Sequence, residues 1–108
     1  MNKVILTGRT TKDMELRYIP TSGKAVANFT LAVTRKYDRE KADFIRCTIF
    51  GKGAEILSEH TQQGSRFTVE GALQTGSYQD SDGTTKYTTD VIVDNFEFLD
   101  TPKKDNKK

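Results

Sequence analysis

The chain has no tryptophan, two prolines, one cysteine and one histidine among its 108 residues. A single thiol, Cys47, cannot close an internal disulfide, and its place in an alternating apolar run reads as a small buried side chain. One Cys and one His are also too few for the ligand sets of a zinc centre, so zinc and thiol chemistry are nearly closed off, and no cofactor or metal is expected. Apolar runs are short. None approaches the ~20 residues that span a bilayer, and the start MNKVILTGR lacks the apolar core and small-residue cleavage site of a secretory signal, so the cytoplasm is the expected location.

A surplus of charge is missing too. The formal net charge is +2, and residues 103–108, with four Lys and one Asp, hold +3 of it, which leaves −1 on the rest. A globally basic domain is excluded, and any nucleic-acid reading must rest on where individual Arg and Lys side chains stand beside aromatic rings.

What is present is alternation. Val4–Leu6 and Leu16–Ile19 read as short strands, the second closed by Pro20 and the turn residues Thr21, Ser22 and Gly23. Ala25–Thr34 puts Ala27, Phe29, Leu31 and Val33 on one parity and polar residues on the other, the pattern of a half-buried strand. A charged loop, YDREKA, leads into a strand over Phe44–Phe50, and Ala54, Ile56 and Leu57 predict a short helix between Lys52 and Gln63, stopped by Gly64. Arg66–Leu73 alternates again. A polar hairpin follows, with Tyr78 and Tyr87 flanking DSDG, and the last strand runs over Thr88–Val93 and resumes through Phe96–Leu99. One all-β domain over residues 1–100 is expected, a five-stranded OB-fold barrel with one short helix between strands 3 and 4, followed by a basic tail at 101–108. A small sandwich fits the same tally.

The stretch FIRCTIF, residues 44–50, carries the functional signal. Ile45, Cys47 and Ile49 share one face, whereas Phe44, Arg46, Thr48 and Phe50 share the other. Two phenyl rings with a guanidinium between them suit unpaired bases, which need flat rings with cations nearby. Burial of the rings under a loop or another subunit is the alternative, and Arg46 has its own: a solvated side chain, or one paired with a carboxylate. Tyr18 and Tyr87 read as structural, and His60 as a helix-terminal residue placed by the dipole.

Four segments, MNKVILTGRTTKDMELRYIPTSGKAVANFTLAV, DFIRCTIFGKGAEIL, GSRFTVEGALQTGSY and DGTTKYTTDVIVDNFEFLD, resemble in order and spacing the bacterial single-stranded DNA-binding (SSB) family, from Met1 to about Asp100. The resemblance implies an OB domain in a homotetramer that wraps single-stranded DNA without strong sequence preference during replication, recombination and repair. It places the family's stacking aromatics on Tyr37, Phe44, Phe50 and Tyr78 and its phosphate contacts on Arg46, Lys52 and Lys86, with Lys3, Arg9 and Arg17 as further candidates. It implies no catalytic residue. The chain departs from the family in QTGSY, which lacks cations ahead of its tyrosine, in Gln62 and Gln63, in a short loop between Tyr37 and Phe44, and in a basic end where members carry an acidic partner-recruiting tip. Rival readings are an RNA-binding or protein-interaction OB module and, further off, a magnesium-dependent nuclease.

Overall fold

The computed structural model describes residues 1–100, so the basic tail expected at 101–108 lies outside the described residues. In chain order the elements are β1 (Val4–Thr10), β2 (Glu15–Tyr18), β3 (Ala25–Thr34), β4 (Ala42–Phe50), α1 (Lys52–His60), β5 (Arg66–Gln79) and β6 (Thr85–Asp100). Five long strands close on themselves: β1 pairs with β5, β5 with β6, β6 with β4, β4 with β3, and β3 returns to β1 through Arg9↔Ala32 and Thr10↔Leu31. That ring is the expected five-stranded barrel, with the helix between its third and fourth members. The four-residue β2 stands outside the ring, paired only to β3.

Alternation decides which side chains fill it. Ala25, Ala27, Phe29 and Leu31 of β3, Cys47 and Ile49 of β4, Phe67 and Val69 of β5, and Val91 and Val93 of β6 form one buried cluster. Helix α1 caps this cluster with Ala54 and Leu57, three residues apart on one face. The helix stops at His60, earlier than the apolar pattern predicts, because Thr61 turns to extended backbone and its hydroxyl donates to the Leu57 carbonyl at 2.7 Å. His60 then packs edge-on against Phe98, with centroids 6.0 Å apart. No helix among the described residues is long and apolar enough to cross a membrane.

β5 and β6 run much further than their apolar segments predict. Their antiparallel ladder continues from Leu73↔Val91 to Gln79↔Thr85 through polar residues, since ladder hydrogen bonds need no apolar side chains. The break expected between Val93 and Phe96 is a bulge: Gly71 pairs with Val93 and Glu70 with Asn95, leaving Asp94 over. That extra residue moves the inward parity from Val91 and Val93 to Phe96.

Cys47 is 2% exposed, and burial first, then the nearby Asp90 charge, pushes its thiol up to about 12. The nucleophilic thiolate is therefore scarce at neutral pH. In the folded chain Cys47 should resist iodoacetamide at pH 8 for hours and react like a free thiol once denatured; equal rates in both states, followed by mass spectrometry, would refute the burial.

Candidate nucleic-acid interface

Strand register assembles the outer face row by row, because paired residues share a side of the sheet. Arg9, Ala32 and Phe44 form one row across β1, β3 and β4; Glu15, Asn28 and Thr48 form a second; Arg17, Val26 and Phe50 form a third. Arg46 lies between the first two, beside Thr30 of β3. On β6, parallel to β4, Asp90 and Ile92 belong to the same face, and the β5–β6 ribbon carries that face outward to Tyr78, directly opposite Lys86. Phe44, Arg46, Phe50, Tyr78, Lys86, Arg9 and Arg17 thus converge on one curved surface.

The rings are open. Phe44 is 67% exposed, Phe50 43% and Tyr78 56%, so none is buried under a loop of its own chain. Tyr37, 92% exposed in the β3–β4 loop, stands apart from the strand face. Two rings carry a lysine that the sequence pattern did not bring forward. Lys24 Nζ lies 6.0 Å from the Phe50 centroid and Lys36 Nζ 5.5 Å from that of Tyr37, both within cation–π range. Lys36 was visible as the neighbour of Tyr37. Lys24 was not, since it meets Phe50 only through the pairing of Val26 with that residue.

The cations divide into paired and open. Arg46 Nε sits 3.1 Å from Asp90 Oδ1, which is the carboxylate-paired alternative for this residue. Arg9 donates to the Gly64 carbonyl at 3.0 Å and lies 3.5 Å from Asp100. Lys3 is held at 2.6 Å by Glu70, whose other oxygen faces Asn95. That hydrogen bond raises the Lys3 ammonium above its usual range and lowers the Glu70 carboxyl below its own. The pair lies where β1 meets β5, away from the β4 face. Among the described residues, Arg17, Lys52 and Lys86 have no carboxylate within ion-pairing distance. Lys52 opens α1 just past Phe50 and borders a groove with Leu16, Tyr18, Glu55 and Glu59.

Tyr18 fits its structural reading, its hydroxyl donating to Glu55 Oε2 at 2.9 Å and tying β2 to the helix. Tyr87 does not pack: it is 82% exposed on the reverse side of the ribbon, opposite Ser77. No group of three or more His, Cys, Asp or Glu among the described residues could hold a metal ion.

Residues 1–99 match the model of the single-strand binding protein family. The chain is 52% identical over 100 residues to a single-stranded DNA-binding protein of Clostridium perfringens, covering 93% of this chain and 67% of that one. It is 46% identical over 109 residues to single-stranded DNA-binding protein 2 of Clostridium acetobutylicum, covering 98% and 82%. Against single-stranded DNA-binding protein 2 of Listeria monocytogenes the identity is 44% over 110 residues, with 98% and 68% covered.

Proposed function

We propose, from the premise that this chain belongs to the single-strand binding protein family, that it binds single-stranded DNA without strong sequence preference and performs no chemistry on it. The observation that carries this reading is the exposure of Phe44, Phe50 and Tyr78 on one continuous face, since large apolar rings left in water on a strand face call for a ligand. Bases stack on these rings and on Tyr37, while Lys52, Lys86 and Arg17 meet phosphates; Arg9 and the more distant Lys3 are further cations whose charges are already partly engaged, and Arg46 reaches the strand between the two rings with its charge held by Asp90. Residues 1–100 act as the binding domain, and the basic residues at 101–108 add charge near the strand.

A homotetramer in the cytoplasm, associated with the nucleoid, would shield single strands during replication, recombination and repair. Exposed Ile5, Phe98 and Leu99 give such an assembly apolar surface to bury. Fluorescence anisotropy with labelled oligo-dT against oligo-U, with and without Mg²⁺, tests the reading. Saturable binding, preference for oligo-dT and an intact oligonucleotide are expected. Equal affinity for oligo-U would favour an RNA module, cleavage in Mg²⁺ would favour a nuclease, and no binding to either would end the proposal.

A further inference from the structure

Phe44 and Phe50 are six residues apart on one strand, about 20 Å at the usual rise, several times the ~3.4 Å step of stacked bases. A strand laid across both rings must therefore rest bases or phosphates on the rows between them. Those rows enclose an open pocket of about 200 Å³, bordered by Lys12, Glu15, Asn28, Arg46, Thr48 and Asp90.

The pocket is electrically balanced. Each cation has a carboxylate within ion-pairing reach, Lys12 with Glu15 at 3.7 Å and Arg46 with Asp90 at 3.1 Å. A phosphate entering here would find both cations already neutralised and offering it no net attraction, whereas a neutral base needs none. Asp90 is also the more sheltered partner, its side chain 23% exposed against 65% for Arg46, and the parallel pairing Cys47↔Val91 fixes its place beside Arg46. An ion pair made through the Nε edge of a guanidinium leaves its two flat faces available for stacking. Below it, Asn28 Nδ2 donates to Thr48 Oγ1 at 2.9 Å, and the remaining donors and acceptors of both groups can meet a base edge.

We propose that Arg46, positioned by Asp90, is a base-stacking platform between the two rings and not a phosphate contact. The inference deepens the single-strand-binding reading and rests on it. Phosphates are then met at the rim, where Arg17, Lys52 and Lys86 are open, and bases cross the neutral centre.

The experiment is a salt titration of oligo-dT binding by the full chain and its Arg46→Lys, Arg46→Gln and Asp90→Asn variants, with melting temperatures measured alongside. A phosphate contact contributes about 0.7 to the log–log salt slope on single strands. Arg46→Lys keeps the charge and loses the plane, so it should bind roughly fivefold more weakly with the slope of the parent, and Arg46→Gln, which also leaves the Asp90 carboxylate uncompensated, should bind at least as weakly. Asp90→Asn should steepen the slope by up to about 0.7, because the freed guanidinium can then reach a phosphate. Parent-like affinity in Arg46→Lys would overturn the platform. A parent chain that binds no oligo-dT would instead overturn the single-strand reading itself.

Discussion

Phe44→Ala should bind oligo-dT ~5- to 150-fold more weakly than the parent and melt at nearly the same temperature. The range corresponds to ~1–3 kcal/mol per stacked base, a general value for single-strand binders, this family among them. Stability is spared because the ring, 67% exposed, leaves no cavity behind when it is truncated. The neighbouring parity responds in the opposite sense. Ile49 is 3% exposed within the central cluster, and Ile49→Ala should cost ~2–5 kcal/mol, a drop of roughly 10–30 °C in melting temperature. Calorimetry and anisotropy on the two variants decide the matter. If Phe44→Ala destabilises the fold as Ile49→Ala does and binds oligo-dT normally, the ring is a packing residue and the stacking face is lost.

Gly71→Ala should be the most damaging single-methyl change in the chain. A Cβ there would stand 2.0 Å from the Ile92 carbonyl oxygen, 2.8 Å from its carbon and 2.9 Å from Val93 Cα, all backbone atoms of the paired strand. No rotamer relieves such an overlap. The two strands would have to separate beside the β6 bulge at Asp94, for a loss of roughly 3 kcal/mol or more. Gly76→Ala on the same strand is the control, since its Cβ would meet only the rotatable Thr88 hydroxyl at 3.1 Å. Chemical denaturation should show a large fall in midpoint for the first variant and almost none for the second. Equal midpoints would show that the ribbon yields freely at the bulge.

How much of this was legible beforehand depends on the range of the interaction. The inward parity of β3 and β4 needs only alternation, so Phe29, Leu31, Cys47 and Ile49 could be placed in the core from the sequence. The lengths of β5 and β6 could not, because Gln74–Gln79 and Thr85–Thr89 are held by ladder hydrogen bonds that leave no trace in side-chain polarity. The rings of the site were readable as residues on the polar parity of a strand. The charge state of the surface was not. Asp90 lies 44 positions from Arg46 in the sequence, and nothing short of the β4–β6 pairing shows that the central cation of FIRCTIF is already engaged.

The closure of the ring also dictates when the fold can exist during synthesis. β6 is made after every other strand of the ring, yet it fills the gap between β4 and β5, joining a strand made earlier to the one that immediately precedes it. Until about Val93 has left the ribosome, β4 has a bare edge and the apolar faces of β3, β4 and β5 have no lid, the condition that invites pairing with another nascent chain. Most of the contacts that define the barrel span long separations in the chain, so their loop entropy is met late and nearly all at once. The protein is therefore committed to folding after its domain is complete, and a ribosome stalled ahead of β6 would hold an adhesive half-barrel.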